Sequence, residues 1–402
     1  MNLLKTIYTW IVWNIISKIF ILIHIKPKHR FKRTKDSDSF PKPPFLVISN
    51  HGTFFDPWMA GLYSITPFLL MINDDAFRAG AISRWYLKSV GTIPKKKGAS
   101  DFKAMKTTLS CLKSKKAVCI FPEGQTTWDG ETQLIYRGIE KIAKRAKCPI
   151  VFVRFQGNFL SKPWWAETTR TGRVNVGFKV LSTEAIQELS DEQLLDTIKK
   201  SIYQNDIKDP ENLRIPFTGE RLAEGLQHFL WVCKKCLSED HLIAENNTVT
   251  CLSCKSTWEI DAHCRFKSTT ETSPVFDLHD WAQFQKHFVL DKINNMSENS
   301  FMTKSENVTL EIAQGKEDFQ TVAEDGVLNL TGDQLTFSSQ EKELNWPVRS
   351  TTNFVVQRKS IFQFDDGDRQ IRALFSDKSP MKWLNYLRYL NGFQECEKRG
   401  YL

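Results

Sequence analysis

The stretch "PFLVISNHGTFFDP", residues 44–57, contains the most informative local pattern of the chain. Its apolar run 45–49 is typical of a buried strand and its Asp56-Pro57 pair of a helix start, so His51 falls in the turn between them. Five residues of an ideal helix rotate two side chains apart by about 140°, so His51 and Asp56 can meet only across such a turn. Two interpretations stay open: a carboxylate that orients an imidazole base, or a capping aspartate near a polar loop histidine.

Apolar and amphipathic runs alternate around this stretch from residue 45 to about residue 185. The alternation predicts an α/β domain, with helices packed on a sheet. Strands are expected at 45–49, 117–121, 149–155 and 173–180. Helices are expected at 100–116, where Ser100 or Asp101 can cap the start, and at 136–147. Because α/β sheets usually place their chemistry at the carboxyl ends of strands, the turn that carries His51 is a candidate site.

Two further turns carry polar groups. "FPEG" (121–124) ends the second expected strand, where Glu123 can accept from a ligand and the glycine turn can present backbone N–H groups to phosphate. Taken alone, it is only a turn signature. "GTIPKKKG" (91–98) places three lysines in a row, which indicates either a phosphate-binding loop or a solvated basic turn.

Taken together and in order, "NHGTFFDP", "GTIPKKKG", "FPEGQTTWDG" and "CPIVFV" resemble the blocks of the glycerolipid acyltransferase family, which contains the 1-acylglycerol-3-phosphate acyltransferases. The resemblance covers roughly residues 44–185. It implies that His51 is the general base that deprotonates a lysolipid hydroxyl as this attacks an acyl thioester, with Asp56 orienting the imidazole. It also implies a substrate-binding group formed by Asn50, Lys95, Lys96, Lys97, Glu123 and Gly124.

The activity that the resemblance implies is transfer of a fatty acyl group from acyl-CoA or acyl carrier protein to a lysophospholipid. The expected reaction converts lysophosphatidic acid to phosphatidic acid, in phospholipid biosynthesis. Two departures from the family pattern concern phosphate: Thr126 and Lys97 stand where arginines are usual. Lysine binds phosphate as a point charge, whereas arginine binds it bidentately. The alternative is a lipid-binding or scaffolding protein with a non-catalytic acyltransferase domain and a zinc ribbon that recruits partners.

The N-terminal stretch 7–25 has 14 apolar residues in 19, and the dense positive charge of residues 26–35 follows it. A signal peptide would carry its charge before the apolar run. The length barely reaches a membrane span, and Lys18 would be costly at the centre of a bilayer. We therefore expect helices that lie in one leaflet, with the basic run on cytoplasmic headgroups. A short span and a helix buried in the protein remain open.

Charge is unevenly distributed along the 402 residues, whose formal net charge is +9. Residues 1–200 carry 32 Lys and Arg against 16 Asp and Glu, so the second half is acidic. A basic first half suits an anionic surface or substrate such as membrane phospholipid. The acidic second half argues against nucleic acid bound along the whole chain.

Nine cysteines occur, and four of them form two CxxC pairs with 14 residues between. The odd total and the scattered remainder do not indicate a disulfide framework, so a reducing compartment is expected. The spacing is typical of a zinc ribbon, in which four thiolates close a tetrahedron and leave no open position for catalysis. Because the loop between the pairs is not basic, nucleic-acid binding is not expected. The predicted ligands of structural zinc are Cys233, Cys236, Cys251 and Cys254.

Short strands and turns dominate residues 307–376, and a helix follows at 379–392. This layout faintly resembles a pleckstrin-homology (PH) domain, a small β-barrel closed by a helix, and its partner cannot be read from the residues. The predicted organisation has five parts: membrane-associating helices at 1–40, an acyltransferase domain at 41–225, a zinc ribbon at 226–265, a linking helix at 266–300 and a small β-rich domain at 301–402.

Overall fold

The structure is a computed structural model that describes residues 3–73, 81–95, 101–295, 300–315 and 317–402, with backbone only at 82 and 83. Its contacts divide the chain into two compact units. Unit 1 comprises residues 1–164, 169–219 and 400–402, and unit 2 comprises residues 165–168 and 220–399. The five-part organisation expected from the sequence stays a prediction.

Unit 1 is built on a seven-stranded mixed sheet, which confirms the predicted α/β class. Its strands are β1 (Phe31–Arg33), β2 (Leu46–Ser49), β3 (Phe68–Asn73), β4 (Thr92–Lys95), β5 (Ala117–Ile120), β6 (Ile150–Gln156) and β7 (Val174–Leu181). The strand order is β1-β7-β6-β2-β5-β3-β4. The block β6-β2-β5-β3-β4 is parallel, and β7 runs antiparallel to β6. The carboxyl ends of β2, β5 and β6 therefore meet at one edge.

Helices cover this sheet and bury an apolar core between the layers. Leu46 and Ile48 of β2 and Val118 of β5 pack in one cluster with Ile142 and Ile198 from two helices. All residues of β2 and β5 are buried, as expected for central parallel strands. The helices of unit 1 that follow β1 are Asp56–Gly61, Ala81–Val90, Phe102–Lys113, Ile139–Ala146, Asn158–Ser161, Thr183–Glu188 and Asp191–Ile202, with a 3₁₀ turn at Asn212–Arg214.

The N-terminal segment forms one helix, Leu3–His29, which is long and apolar enough to cross a membrane by length and composition. It contains two π-helical stretches, Val12–Ser17 and Ile21–Ile25. On an α-helix with 3.6 residues per turn, side chains four residues apart gradually rotate away from one face. The π turns contain more residues per turn and offset this rotation, so every fourth residue stays on the same face. That face is buried against unit 1, and its residues are Trp13, Ser17, Ile21, Ile25 and His29.

Unit 2 begins with a small antiparallel sheet in the order β12-β11-β10-β9-β8. Its strands are β8 (Leu242–Glu245), β9 (Thr248–Cys251), β10 (Thr257–Ile260), β11 (Arg265–Ser268) and β12 (Phe276–Asp277). The helix Leu278–Asn294 follows, started by a capping box between Asp277 and Asp280. Its fully buried Trp281 contacts the rings of Trp258 and Phe266.

A second, larger antiparallel sheet completes unit 2, in the order β16-β15-β14-β13-β19-β18-β17. Its strands are β13 (Phe301–Gln314), β14 (Gln320–Thr331), β15 (Gln334–Ser338), β16 (Glu343–Pro347), β17 (Thr351–Gln357), β18 (Ile361–Asp366) and β19 (Arg369–Leu374). The helices are Pro380–Leu390 and Phe393–Arg399, with 3₁₀ turns at Leu226–His228 and Val348–Ser350. A β-rich region with a C-terminal helix is thus present, while barrel closure and PH character stay predictions.

Candidate active site

The turn after β2 is fixed to the neighbouring strand β6 before it reaches His51. The carboxamide of Asn50 donates from Nδ2 to the carbonyl of Phe155 at 3.0 Å and accepts from the Phe155 N–H at 2.8 Å. These two hydrogen bonds extend the pairing of β2 with β6, with the Asn50 side chain in place of a backbone group. Asn50 is buried and both ends of its carboxamide are occupied, so the structure places it as a support of the turn. Its expected substrate contact stays a prediction.

His51 and Asp56 meet across the turn, with 3.0 Å between Nδ1 and Oδ2. The Asp56 carboxylate is fully buried and also accepts the backbone N–H groups of Gly52 and Thr53 and the hydroxyl of Thr53. The capping interpretation is wrong, because the helix begins at Asp56 itself, with Phe55 as its N-cap and no side-chain cap. The carboxylate bonds backwards into the turn rather than forwards into the helix.

The hydrogen bond to Asp56 decides which nitrogen of His51 can act as a base. An ionised carboxylate only accepts, so a neutral imidazole at this distance carries its proton on Nδ1 and its lone pair on Nε2. The side chain is 19% exposed, and its ring lies against Phe121 at a centroid distance of 4.3 Å. The ring is therefore held in place by a carboxylate and an aromatic face while staying partly exposed.

Glu123, which follows β5, is hydrogen-bonded to the same turn. One carboxylate oxygen accepts the His51 backbone N–H at 2.7 Å, and the other accepts the Gln133 N–H at 2.6 Å. Burial raises the pKa of this carboxyl well above its usual range, while the two N–H donors oppose that rise. Gly124 adopts a positive φ of 75°, and a Cβ there would lie 2.7 Å from the Tyr136 ring. Both residues shape the turn, and their expected contact with the acceptor stays a prediction.

Of the predicted lysine run, Lys95 lies within the described residues at the end of β4, whereas Lys96 and Lys97 lie outside them. The Lys95 ammonium lies 4.5 Å from the centroid of the Tyr136 ring. Burial lowers the pKa of Lys95, and the nearby Asp101 carboxylate opposes that shift. Lys95 and Tyr136 line an open pocket, which Phe121 also borders. Phe121 thus borders this pocket and also contacts the imidazole of His51.

Comparison with known proteins finds a family match within unit 1. The family model described as Acyltransferase matches residues 30–156. This segment is an acyltransferase-family domain. The crystal structure of the 1-acyl-sn-glycerophosphate (LPA) acyltransferase PlsC from Thermotoga maritima is similar at 16% identity and a TM-score of 0.39, over 50% of this chain and 92% of that chain. The solution structure of the N-terminal PH domain of the human ARAP2 protein is similar at 19% identity and a TM-score of 0.17, over 23% of this chain and 86% of that chain. Among curated proteins no match was found.

Unit 1 also contains site residues that sequence reasoning missed. Asn158 donates from Nδ2 to Asp56 Oδ1 at 3.0 Å, although 102 positions separate the two residues. Gln133 supplies one of the two N–H groups on Glu123. A signal for Asn158 was available, since it is a polar residue just beyond an apolar run expected to be a strand. Nothing in the spacing of Gln133 points to its role.

In unit 2, the four predicted zinc ligands lie together, with their Sγ atoms all within 4.8 Å of one another. Sγ–Sγ distances are 3.7 Å for Cys233 to Cys254 and 3.7 Å for Cys236 to Cys251. A tetrahedron with zinc–sulfur bonds of about 2.3 Å has edges of about 3.8 Å, so the donor set fits zinc. Each CxxC turn is followed by a residue with positive φ, Leu237 in one and Lys255 in the other, which gives the two turns the same shape.

Proposed function

We propose that the chain is a membrane-associated glycerolipid acyltransferase. It moves a fatty acyl group from acyl-CoA or acyl carrier protein to a lysophospholipid hydroxyl, with lysophosphatidic acid as the acceptor and phosphatidic acid as the product. The observation that carries the proposal is the 3.0 Å pair of His51 and Asp56, which lies at the carboxyl edge of a parallel sheet within the matched family segment.

In this mechanism Nε2 of His51 accepts the proton of the lysolipid hydroxyl as its oxygen attacks the thioester carbonyl. Asp56 keeps the ring in the required tautomer and stabilises the imidazolium that forms. When the tetrahedral intermediate collapses, the carbon–sulfur bond breaks and the imidazolium returns the proton to the leaving thiolate. The products are an ester and a free thiol, and the imidazole is regenerated neutral.

An anionic acceptor is supported by the Lys95 ammonium, which lies beside the site. Lys95 borders the pocket next to Phe121, and Lys96 and Lys97 follow it directly in the sequence. Ammonium groups can attract a phosphate without fixing its orientation. The proposal therefore assigns headgroup attraction to the lysine run and orientation of the reacting hydroxyl to the turn that carries His51.

Membrane attachment in one leaflet is supported by how the N-terminal helix packs. Its buried face is bound to the rest of unit 1 near both ends: the hydroxyl of Thr9 donates to the Ser89 carbonyl at 2.9 Å, and His29 Nδ1 lies 2.9 Å from Ser161 Oγ. A helix attached along its length to a polar domain cannot cross a bilayer without drawing that domain in. Its opposite face exposes large apolar side chains, among them Leu4, Ile15, Ile19 and Ile23. We assign this face to the lipid and the domain to the cytoplasmic side.

For the cysteine cluster we propose one structural zinc ion. The four thiolates would hold the ion in a closed coordination shell that keeps the two CxxC turns together. The acyl-transfer steps described above use only groups of unit 1, so the metal supplies folding energy to unit 2 and no chemistry to the transfer.

The test uses the purified full chain with labelled acyl-CoA, acyl carrier protein as an alternative donor, and a panel of lysophospholipids, with products identified by mass spectrometry. Wild type is expected to form phosphatidic acid, and His51→Ala is expected to abolish transfer with an unchanged circular dichroism spectrum. Wild-type turnover by His51→Ala would refute the mechanism. Binding of the chain to vesicles without turnover on any acceptor would favour the scaffolding alternative.

A further inference from the structure

From the part of the chain that the structure describes, the carboxylate of Asp56 accepts five hydrogen bonds. Four of these come from residues 51–53 of its own turn, and the fifth comes from Asn158. Oδ2 accepts hydrogen bonds from the imidazole of His51 and from two backbone N–H groups. Oδ1 accepts hydrogen bonds from the Thr53 hydroxyl and from the Asn158 carboxamide. Asn158 is thus the donor that ties the carboxylate to another part of the fold.

This fifth bond controls an otherwise soft torsion. The terminal torsion of an aspartate side chain has a broad energy profile, so donors on both oxygens are needed to hold its plane. Without Asn158, Oδ1 would retain the hydroxyl of Thr53, a group that can rotate. The carboxylate plane, and with it the direction of Oδ2 toward His51 Nδ1, therefore depends on Asn158.

Gly52 gives an independent sign that this carboxamide belongs to the site. A Cβ at Gly52 would lie 2.5 Å from Asn158 Nδ2 and 2.8 Å from its Cγ. Such distances are shorter than any real Cβ contact. Since Gly52 does not have a positive φ, what requires glycine there is the space that Asn158 occupies.

Asn158 is itself held on both sides by a single carboxylate. Asp206 accepts the N–H groups of the two residues that flank Asn158: Gly157 at 2.7 Å and Phe159 at 2.9 Å. Asn158 is 1% exposed, so water does not compete for its carboxamide. The backbone that presents this side chain is therefore rigid on the scale that a hydrogen bond requires.

A third contact links Asn158 to the N-terminal helix. Ser161 Oγ donates to the Asn158 carbonyl at 2.7 Å, which uses the only proton of that hydroxyl. His29 Nδ1, 2.9 Å from the same Oγ, must then be the donor. The last residue of the membrane-associating helix thus connects through two hydrogen bonds to the residue that holds Asp56.

We propose that Asn158 is a positioning residue of the acyl-transfer reaction, which holds the Asp56 carboxylate in the plane that faces His51 and connects it to the N-terminal helix. This inference rests on the proposed function for its kinetic readout. Asn158 acts through Asp56, so its loss lowers kcat rather than raising KM.

The decisive variant is Asn158→Asp, which keeps the size of the side chain. When protonated, the introduced carboxyl group donates to Asp56 Oδ1 as the carboxamide does; when ionised, it places a second negative charge beside Asp56. The kcat of this variant is expected to fall as pH rises, giving a basic limb that wild type lacks. Asn158→Ala is expected to lose on the order of 10²-fold in kcat at every pH, because Asp56 is no longer aligned.

An unchanged kcat for Asn158→Ala, or the same pH profile for both variants, would overturn the proposal. If the alanine variant does not fold, the pH profile of Asn158→Asp alone decides. Asn205→Asp is the matched control, since its retained Oδ1 still accepts the Lys208 N–H at 3.0 Å. Gly52→Ala is expected to reproduce the Asn158→Ala defect and to add little to it in the double variant; full additivity would count against the proposal.

A second measurement does not require turnover. Nitrogen-15 spectra of histidine-labelled protein report which nitrogen of His51 carries the proton, with His51→Ala for assignment. Wild type is expected to show Nδ1–H, and Asn158→Ala a mixture of tautomers. An unchanged tautomer in Asn158→Ala overturns the positioning role. A changed tautomer in a chain without turnover supports it, and then only the proposed function fails.

Discussion

The cysteine cluster and the His51 site are both built from turns, but the groups that hold them lie at very different distances along the chain. The four thiols come from residues 233–254, and each CxxC turn has the same backbone form. The His51 turn is held by Glu123, which follows β5, and by Asn158, which follows β6. The first site is specified locally and is proposed to hold a metal, whereas the second exists only once the sheet has formed.

The largest effect is therefore expected from removing the metal. Structural zinc contributes on the order of 10 kcal/mol to folding of small metal-bound domains, so Cys251→Ser or a chelator should abolish the unfolding transition of the ribbon. Calorimetry measures the unfolding transition, and elemental analysis measures the zinc content. Cys396→Ser, outside the cluster, should keep both. A full chain without bound zinc, or a Cys251→Ser variant with the wild-type transition, would show that the comparison is wrong.

In the acyltransferase-family domain, substitution of Asp56 is expected to lower the rate of acyl transfer rather than to prevent folding. Asp56→Asn replaces one acceptor oxygen with a donor NH₂ and so cannot satisfy all the donors that converge on Asp56. We expect kcat to fall by about 10²- to 10⁴-fold, the range for loss of positioned acid–base catalysis. Steady-state kinetics with the acceptor identified in the product screen measures it. Asp36→Asn, at an exposed carboxylate, should match wild type; equal rates for the two variants would exclude an orienting role for Asp56.

The two sites should also respond to pH in opposite directions. Burial raises the pKa of Asp206 from 3.8 to about 7, against the N–H groups that it accepts. Between these values the folded state binds the proton more tightly than the unfolded state, so stability decreases as pH rises, by on the order of 4 kcal/mol in total. A zinc site formed by thiolates is expected to lose stability as pH falls, because acid protonates the ligands and releases the metal.

Calorimetry of chelated wild type and chelated Asp206→Asn at about pH 5 and about pH 8 gives the contribution of Asp206 as the difference between the two proteins. Wild type is expected to gain more stability at the lower pH than Asp206→Asn does, because the contribution of Glu123, whose pKa is also raised, is present in both proteins. If both proteins show the same pH dependence, then Asp206 is not the group responsible and the predicted opposition between the two sites is lost.

The same contrast explains how far the sequence could be interpreted. The cysteine cluster follows from spacing alone, because its geometry depends on two local turns. The meeting of His51 and Asp56 follows from a strand, a turn and a helix start within 14 residues. The role of Asp56 in the turn could not be read locally, because a capping aspartate and an orienting one occupy the same sequence position. Only its hydrogen bonds distinguish the two.

What the sequence did not reveal are partners that the sheet order brings together. Glu123 was expected to face a ligand, because nothing in "FPEG" shows that β5 lies beside β2 with the carboxylate under the His51 N–H. Asn158 was missed since its partner is 102 residues away. Such contacts depend on strand adjacency, and an apolar run such as residues 45–49 can pair with several neighbours equally well. Side chains that stabilise a site from behind are thus less visible in sequence than the groups that react.

The smallest effect is expected at Lys95, whose charge belongs to a run rather than to a fixed geometry. Lys95→Met should raise KM for the anionic acceptor about tenfold and leave kcat nearly unchanged, because a point charge attracts bound and reacting phosphate equally. Lys88→Met, on an exposed helix position, is the control. Lys95→Arg keeps the charge and should stay close to wild type, unless packing against Tyr136 is what matters. An unchanged KM in Lys95→Met would assign headgroup attraction to Lys96 and Lys97. A large loss of kcat would instead mean that Lys95 contacts the reacting groups directly. The acyltransferase-family domain would then hold Lys95 in a fixed geometry, as the turn holds His51 through Asp56.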